Sequence, residues 1–273
     1  MTTAAERPKI KSAFARELNA IVTLFMRGMV VSLKSPGTVI MSLAMPIVMM
    51  GMIGGNLSEN MAGGLNYEYG PFMLVGMLVN MLFMQTATGM SSIVEDSEDN
   101  FTQEIMVAPI SRYSIVIGTI LSSAFIAIVS SVGTLIVGLL MGIYIGIPQL
   151  LAFFALSPLM CLAAGAFSML LIGGIKNKTA SNMAVMLTTM PQMFLSGAII
   201  PISNSSGILF ILSRCLPMTY CLDLVRAVVY AGTSEYSSVV LFNPAVTLAA
   251  IIGLTIAFLI VGTWLYARSE KNK

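Results

Sequence analysis

The longest uncharged stretch of the sequence limits most strongly what the chain can fold into. From Tyr113 to Ile175, 63 consecutive residues include no Asp, Glu, Lys or Arg. As one helix rising about 1.5 Å per residue, this stretch would be roughly three bilayer thicknesses long. It must therefore turn back, and the natural break is Gly146-Ile147-Pro148. We expect two membrane crossings here, over residues 114–145 and 150–175.

Two shorter uncharged stretches, residues 35–58 and 69–94, have the length of single membrane crossings. They contain 24 and 26 residues, and about 20 apolar residues suffice for one helical crossing. A last apolar stretch begins at Asn243-Pro244, which places proline in the first turn of the expected helix. Each of these three stretches is expected to contribute one span.

The 35 uncharged residues from Thr179 to Ser213 are too many for one straight span. Gly197 and Pro201 predict the end of a helix, and part of the following segment, 202–230, is expected to dip back into the bilayer. The sequence therefore predicts an all-α integral membrane protein with six transmembrane helices and an outer re-entrant hairpin between spans five and six. The predicted spans are 38–56, 71–94, 114–145, 150–175, 179–201 and 244–267, in a membrane domain over 36–267 with tails at 1–35 and 268–273.

The composition excludes several classes of protein. Apolar residues make up 57% and charged residues 10% of the chain, and the mean hydropathy is +0.90, so a soluble fold could not bury its apolar surface. A net charge of +2 without a basic stripe excludes a nucleic-acid reader. Because the chain has no histidine and no Cys-x-x-Cys pair, we expect no metal site and no His-based catalysis.

The distribution of basic residues predicts the orientation of the chain. If both termini lie on one side, that side holds twelve of the 14 Lys and Arg residues, and the other side holds Arg214 and Arg226. Short cytoplasmic loops carry the excess of Lys and Arg in membrane proteins. We therefore expect a multi-pass protein of a bacterial-type cell (inner) membrane with both termini in the cytoplasm.

None of the six predicted spans contains Asp, Glu, Lys or Arg. Ion-coupled carriers usually keep a titratable group at membrane depth, although sodium can be held by backbone carbonyls, so the pattern disfavours secondary transport without excluding it. The nearest Gly-Lys cluster, 173–176, lacks the spacing of a phosphate-binding loop. We expect no catalytic residue and no nucleotide site in this chain, so energy for transport would enter through a partner.

Residues 12–27 predict an amphipathic helix that precedes the first span. Phe14, Leu18, Ile21 and Phe25 fall on one face of this helix. Basic residues around an apolar stripe favour a helix that lies flat in the headgroup layer. An ordinary helix packed on a soluble partner is the alternative.

The loop over 95–112 predicts a short helix on the cytoplasmic side. It begins with an acidic cluster at 95–99, and Asp99 or Asn100 can cap a helix that carries Phe101 and Ile105. So short a helix is unstable alone, and we expect it to dock against another element. A solvated acidic loop is the alternative. Ser111 can cap the third span.

Two parts of the sequence resemble ABC-2 type permeases, the membrane subunits of ATP-binding-cassette exporters. Glu104-Ile-Met-Val-Ala-Pro-Ile-Ser-Arg112, with the following Ile117-Gly118-Thr-Ile-Leu121, resembles the coupling segment of that family. The stretches 194–202 and 216–226 resemble its fifth span, re-entrant hairpin and Pro-x-Thr-Tyr…Asp-x-x-Arg sequence. The resemblance covers about residues 12–268, although Phe101-Thr102 stands where the family usually has Gly-Thr.

The resemblance implies a half-transporter. Two copies of this chain, or this chain and a close relative, would assemble with two ATPase subunits that bind ATP and Mg. The helix at 99–108 would seat in a groove of the ATPase, and rearrangement of the two membrane halves would move hydrophobic or amphiphilic molecules outward, such as drugs, lipids or lipopeptides. Polysaccharide export and an ATP-independent channel or secondary carrier are the alternatives. The residues expected to couple to the ATPase are Asp99, Phe101, Glu104, Ile105, Pro109, Ile110, Ser111 and Arg112.

The 23 methionines recur at helical spacing in three of the predicted spans. Each set falls on one helical face. Ordinary apolar packing would explain such stripes; alternatively they line a shared adaptable cavity, because thioether side chains repack around varied ligands. The resemblance supports the second interpretation, since the first, second and fifth spans border the pathway in that family. The candidate pathway residues are Met41, Met45, Met49, Met52, Met73, Met77, Met81, Met84, Met183, Met186, Met190, Met193 and Phe194.

Three residues are candidates for an outer gate. Asp223 and Arg226 lie three positions apart in an expected outer amphipathic helix, where we expect them to pair with each other, and Pro201 precedes that segment. Cys215 and Cys221 would face the oxidising side, where a disulfide or two free thiols are alternatives.

A repeat of small residues occurs in the third span. Gly138, Gly142 and Gly146 follow a doubled G-x-x-x-G pattern. This spacing lets helix backbones approach closely, either within the chain or in a dimer.

Overall fold

The regular structure of the chain is helical. The computed structural model describes residues 13–34, 37, 44, 47–54, 67–98, 111–202 and 207–271. All regular elements in these ranges are helices, so the all-α prediction is confirmed for them. The α-helices are α1 Ala13–Leu33, α2 Tyr69–Gly89, α3 Ser92–Glu98, α4 Arg112–Leu140, α5 Ile147–Ile172, α6 Lys178–Leu195, α7 Ile208–Cys215, α8 Pro217–Val229, α9 Tyr236–Val239 and α10 Pro244–Lys271, and a π-helix spans Met49–Gly54.

Helix α2 forms the centre of the bundle. Every side chain from Phe72 to Phe83 is buried, whichever side of the helix it occupies, as expected of a helix that is apolar all round. It packs against α4, α5, α6 and α8. Its approach to the chain after α6 requires Gly76, because a Cβ there would lie 1.9 Å from the carbonyl oxygen of Ala198.

Helix α1 docks along the first half of α4. The contact is close, since a Cβ on Gly28 would lie 2.5 Å from the Ser122 side chain. Phe25 also packs edge-on against Phe125, with ring centroids 6.3 Å apart. The predicted amphipathic helix is therefore confirmed as a helix, and it extends to Leu33 rather than ending at residue 27.

Among the described residues, four helices are long and apolar enough to cross a membrane: Tyr69–Ser97, Arg112–Leu140, Ile147–Ile172 and Tyr236–Ser269. They correspond to the predicted second, third, fourth and sixth spans. Helices α7 and α8 form a pair bent by 80°, at the place of the predicted re-entrant segment 202–230, and counting the pair as a span would give five. The described residues thus support four or five crossings, and six crossings stays a prediction.

The two remaining predicted spans, 38–56 and 179–201, do not correspond to any of these four helices. Most of 38–56 lies outside the described residues, which include the π-helix at its end. The predicted span 179–201 coincides with α6, which is helical but is not among the four helices apolar enough to be identified as spans in the described ranges. Asn182 and Gln192 lower the apolar character of this helix.

Two predicted helix ends are corrected by the structure. Helix α4 ends at Leu140 rather than residue 145, and Gly142 follows with φ +80°, a conformation that glycine adopts without strain. Gly142 and Gly146 therefore lie outside the helix, so the small-residue repeat does not form one helical face. Gly138 serves packing within the chain, where a Cβ would lie 2.6 Å from the Leu74 side chain. Helix α6 likewise ends at Leu195 rather than residue 201.

The helices run between two ends of the bundle, named here after one acidic residue at each. At the Glu95 end, α3 meets α1, the start of α4 and the start of α6. At the Asp223 end, α8 meets the start of α10, and the start of α2 lies beside the loop between α4 and α5. The two ends hold the charged residues that the functional argument uses.

Candidate functional site

Two ion pairs fasten neighbouring helices to α3 at the Glu95 end. Arg27 of α1 donates from Nη1 and Nη2 to the two carboxylate oxygens of Asp96, with both distances 2.7 Å. Lys178 of α6 pairs with Glu95. The hydrogen bond to Asp96 raises the pKa of Arg27 above its usual value. Two residues of the acidic cluster are thus paired rather than solvated as the alternative interpretation expected.

Glu17 of α1 binds the start of α4. Its carboxylate accepts the backbone N–H of Ser111 at 3.0 Å and the hydroxyl of Ser114 at 2.5 Å. The hydroxyl oxygen of Ser111 accepts the N–H of Tyr113, so the predicted cap of the third span is confirmed. The hydrogen bond from Ser114, followed by that from Ser111, lowers the pKa of Glu17. A carboxylate at this position also matches the positive end of the helix dipole.

Helix α1 therefore holds both flanks of the segment 99–110. Asp96 precedes the segment and binds Arg27, whereas Ser111 follows the segment and binds Glu17. We call these two contacts the α1 bracket. Sequence reasoning missed the contacts of Glu17, Arg27 and Lys178; for Arg27 and Lys178, the available signal was their position beside a predicted helix end.

Most of the predicted coupling residues lie outside the described residues. Ser111 and Arg112 are described, and the Arg112 guanidinium lies 5.9 Å from the centre of the Tyr266 ring. This contact joins the start of α4 to the end of α10. The coupling residues outside the described ranges are Asp99, Phe101, Glu104, Ile105, Pro109 and Ile110.

A cavity of about 220 Å³ lies behind the α1 bracket. Leu24 and Gly28 of α1, Ser92 of α3 and Thr119 of α4 line it, and Asp96 lies at its wall. Helices α1, α3 and α4 thus surround this cavity, while α1 and α4 stay in close contact at Gly28 and Ser122.

The methionine stripes do not lie on one common surface. In α2, the second stripe is inside the bundle: Met73, Met77 and Met81 are buried and Met84 is half-buried. In α6, by contrast, Met183, Met186, Met190 and Phe194 are exposed and Met193 is buried. In the first stripe, Met41 and Met45 lie outside the described residues, Met49 is half-buried and Met52 is exposed. The stripe of α2 thus packs the core, whereas that of α6 presents an apolar face.

Asp223 is 2% exposed and binds the start of α10. Its Oδ1 accepts the N–H of Leu241 at 2.6 Å, and its Oδ2 accepts the N–H of Phe242 at 3.1 Å and the hydroxyl of Thr247 at 3.2 Å. One carboxylate thus ties helix α8 to the start of α10. Pro201, the third gate candidate, is half-buried near the end of α6.

Arg226 lies one helical turn from Asp223, but its side chain contacts other elements than α10. It is 3% exposed, its Nη2 donates to the carbonyl of Gly197 at 2.8 Å, and its guanidinium lies 3.6 Å from the centre of the Phe72 ring. The ion pairs within 4.0 Å among the described residues do not include Asp223 with Arg226. The predicted pairing of these two residues is therefore wrong, because each side chain has better-placed partners on other elements.

The cysteines are free thiols. Cys161 and Cys221 are buried and Cys215 is exposed. Of the two alternatives for Cys215 and Cys221, the structure therefore has free thiols. Among the described residues, the structure contains no cluster of three or more Cys, Asp or Glu side chains suited to a metal ion.

Comparison with known proteins gives two matches. The family model described as "ABC-2 type transporter" matches residues 19–230 of the chain. The chain is also 24% identical over 250 residues to the protein named "Putative transport permease ycf38" of Cyanophora paradoxa, an alignment that covers 88% of this chain and 84% of that protein. Most of α1 and the whole bent pair α7–α8 lie within the residues of the family match.

Proposed function

Because the chain belongs to the ABC-2 type transporter family, as the match over residues 19–230 shows, we propose that it is the permease subunit of an ATP-driven exporter of hydrophobic or amphiphilic molecules. It is a multi-pass membrane protein, and the membrane domain of this family is not the catalytic subunit. Permeases of the family generally pair with ATP-binding-cassette ATPases. The ATPase, two copies of it with ATP and Mg, is the partner that this proposal requires.

The α1 bracket is the observation that carries the proposal. An ATPase that pushes on the segment 99–110 displaces Asp96 at one flank and Ser111 at the other, and both are bonded to α1. Because α1 is also packed along α4, the displacement reaches the bundle as a rigid-body shift rather than being absorbed in a loop. In this proposal the segment and both termini face the cytoplasm, where ATP is available.

The absence of charge from the span interiors supports an apolar or amphiphilic cargo. Within the described residues, no Asp, Glu, Lys or Arg occurs in 69–94, 113–140, 147–172 or 244–267. An ionic substrate that passed these surfaces would lose its hydration without gaining a partner. Drugs, lipids and lipopeptides are cargo that such surfaces suit.

The exposed face of α6 supports assembly with a second permease copy or a close relative. Met183, Met186, Met190 and Phe194 present an apolar face on a helix that also carries exposed Asn182. An exposed amide is costly against lipid and is better accommodated against protein or at a water-filled path. In this proposal, the pathway forms where the faces of two copies meet.

Reconstitution with and without the ATPase tests the proposal. The complex of this chain with its ATPase in liposomes should transport an amphiphile only with hydrolysable ATP. Phe101→Asp and Ile105→Asp should abolish transport while ATP hydrolysis continues, whereas the polar change Gln103→Glu in the same segment should leave both intact. Transport by the chain alone, without any ATPase, would overturn the exporter proposal in favour of a channel or secondary carrier.

A further inference from the structure

Helix α7 projects apolar side chains at the Asp223 end of the bundle. The residues from Ile208 to Leu212 are each between 41% and 72% exposed, and Ser213 is the one buried residue of this helix. Helix α7 contacts α6 and α8, and these contacts leave all of its apolar side chains uncovered. A helix that is apolar on every exposed side requires apolar surroundings, which the lipid of a bilayer supplies.

Arg214, in the last turn of α7, lies against two aromatic rings. Its guanidinium carbon is 3.9 Å from the centre of the Phe210 ring and 4.8 Å from the centre of the Phe242 ring. Tyr220 in turn stacks on Phe242, with ring centroids 5.6 Å apart. Because the N–H groups of a guanidinium lie at the edge of its plane, contacts between its face and aromatic rings leave those groups available. The rings thus position a cation that can still donate hydrogen bonds.

The Arg214 guanidinium has no polar partner within the described part of the chain. Its N–H groups make no hydrogen bond or ion pair to a described residue. It is also not required to cap its own helix. The Thr219 hydroxyl donates to the Ser213 carbonyl at 2.5 Å, and the Tyr220 hydroxyl donates to the Arg214 carbonyl at 2.8 Å. The side chain is therefore held in place without a bond to protein that uses its charge.

The carboxylate of Asp223 lies close to this cluster but is already occupied. It is 2% exposed and accepts hydrogen bonds from the N–H groups of Leu241 and Phe242 and from the Thr247 hydroxyl. The partner of Arg214 must therefore come from outside the described chain. A guanidinium matches an anion with two acceptor oxygens, above all a phosphate or a carboxylate.

The position of Arg214 favours a phosphate at the level of the lipid headgroups. Arginine and aromatic side chains next to an exposed apolar helix are typical of the interface between bilayer and water. The long side chain of arginine can place its charge among the headgroups while the neighbouring residues remain in the apolar layer. A phospholipid satisfies both parts of this surface at once, because its phosphate faces the guanidinium and its acyl chains cover α7.

We propose that Arg214, positioned by Phe210 and Phe242, binds the phosphate of an anionic phospholipid whose acyl chains cover α7. The lipid then anchors the bent pair α7–α8 at one surface of the bilayer, and the contacts of Asp223 extend this anchoring to the start of α10. The site does not depend on the export function proposed above, since neither the ATPase nor the segment 99–110 contributes to it.

Quenching of an introduced tryptophan by brominated lipids tests the site. Trp264 is the only tryptophan of the chain, so the full chain with Ile211→Trp and Trp264→Phe carries one tryptophan, a helical turn from Arg214. In bilayers of mixed composition, brominated phosphatidylglycerol should associate with this position about fivefold more strongly than brominated phosphatidylcholine, as expected of one basic side chain near anionic lipid. Equal association of the two lipids would mean that ordinary boundary lipid covers α7, and it would overturn the proposal. The absence of quenching by either lipid would mean that protein covers α7, for example a second copy of the chain, and would overturn it as well.

Three variants assign the preference for phosphatidylglycerol to the positioned guanidinium. In the same single-tryptophan protein, Arg214→Gln should reduce the ratio of the two association constants to about one. Arg214→Lys and Phe210→Leu should give intermediate ratios, because lysine keeps the charge without the planar donors and leucine keeps α7 apolar without the ring. An undiminished ratio in Arg214→Gln would overturn the site. An undiminished ratio in both other variants would mean a diffuse charge effect and would overturn the role of the rings.

The other end of α10 offers a matched control. The Arg268 guanidinium lies 5.4 Å from the centre of the Trp264 ring, so it forms the same kind of contact away from α7. Arg268→Gln should leave the lipid preference at Ile211→Trp unchanged. Conversely, Arg214→Gln should leave the lipid preference at Trp264 unchanged in the protein that keeps its native tryptophan. An equal effect of Arg214→Gln at both tryptophans would indicate a general change of surface charge and would overturn the assignment to this site.

A soluble phosphate ester distinguishes a bound lipid from a free phosphate. Replacing sodium chloride by sodium glycerol 3-phosphate at equal ionic strength should leave the preference for phosphatidylglycerol unchanged, because the soluble ester has no chains that cover α7. If the preference that depends on Arg214 disappears in glycerol phosphate, a free phosphate ester suffices as the ligand. That result would overturn the proposal of a phospholipid.

Discussion

The two ends of the bundle use charge in opposite ways. At the Glu95 end, Arg27, Asp96 and Lys178 keep about a quarter to two-fifths of their side-chain surface exposed, and they pair side chain to side chain. At the Asp223 end, Asp223 and Arg226 are almost wholly buried, and they bind mainly backbone groups. The groups of an exposed ion pair can replace each other by water, whereas a buried charge is left without any solvation if its partner moves away.

This difference separates a part of the molecule that can move from a part that is fixed. The ion pair of the α1 bracket can rearrange at small cost while α1 stays packed along α4. The Asp223 contacts hold α8 against the start of α10, so we expect the bent pair α7–α8 to move together with α10. A conformational change that enters at the Glu95 end would thus carry the Asp223 end as one body rather than loosening it.

Removal of the Asp223 carboxylate should have the largest effect on stability. Asp223→Ala leaves the N–H groups of Leu241 and Phe242 without their acceptor, whereas the Thr247 hydroxyl keeps the Asn243 carbonyl. At about 1–3 kcal/mol for each of these two donors, we expect a loss of at least about 2 kcal/mol and poor yield of folded protein. Thermal unfolding of purified protein in nanodiscs measures it.

Asp223→Asn is the matched control for this prediction. It keeps one oxygen that can accept the N–H of Leu241, so it should fold and unfold at a temperature between those of the native protein and Asp223→Ala. If Asp223→Ala unfolds at the same temperature as the native protein, the Asp223 contacts do not fix α8 against α10.

The lengths of uncharged stretches were sufficient to predict much of the fold. The spans at 71–94, 114–145, 150–175 and 244–267 each correspond to a long apolar helix, because the requirement to cross a bilayer acts on local composition. The ends of α4 and α6 were predicted less well. Gly142 and Gly197 have positive φ values of 80° and 85° and terminate the helices earlier than the apolar pattern does.

The contacts of the candidate sites were mostly beyond sequence reasoning. Asp223 and Arg226 have the spacing of a helical pair, yet their partners lie on other elements, in Leu241 and Gly197 for example. Similarly, 94 positions separate Glu17 from Ser111. How the helices pack determines which residues so distant along the chain become partners. A single sequence carries no local signal of that packing. The cap at Ser111 was predictable because capping is local.

Acidification should loosen the α1 bracket through Glu17. Its pKa is lowered by the Ser114 hydroxyl and then the Ser111 N–H, so the folded state binds the proton less readily than the unfolded state. The contact is therefore fully formed above the usual value of 4.5, and it is lost as the pH falls through the lowered pKa of the folded protein. Spin labels at the exposed positions Thr23 and Tyr113 should report a wider distance between α1 and α4 in acid.

Glu17→Gln is the control for this titration. It removes the titrating group, so the distance between the labels should show a smaller dependence on pH and ATP-driven transport should fall several-fold while ATP hydrolysis persists. An identical pH response in native protein and Glu17→Gln would show that another group governs the contact.

The pair of Arg27 with Asp96 should contribute the least to stability. Both side chains are partly exposed, and pairs of this kind contribute about 0.2–1 kcal/mol. A double-mutant cycle with Arg27→Ala and Asp96→Ala should give a coupling free energy in that range, which falls as salt is raised because the pair is screened. The charge exchange Arg27→Asp with Asp96→Arg should restore transport that either single change reduces. A coupling free energy as large as the effect of Asp223→Ala would remove the contrast between the two ends, because the charges of both ends would then be held equally firmly.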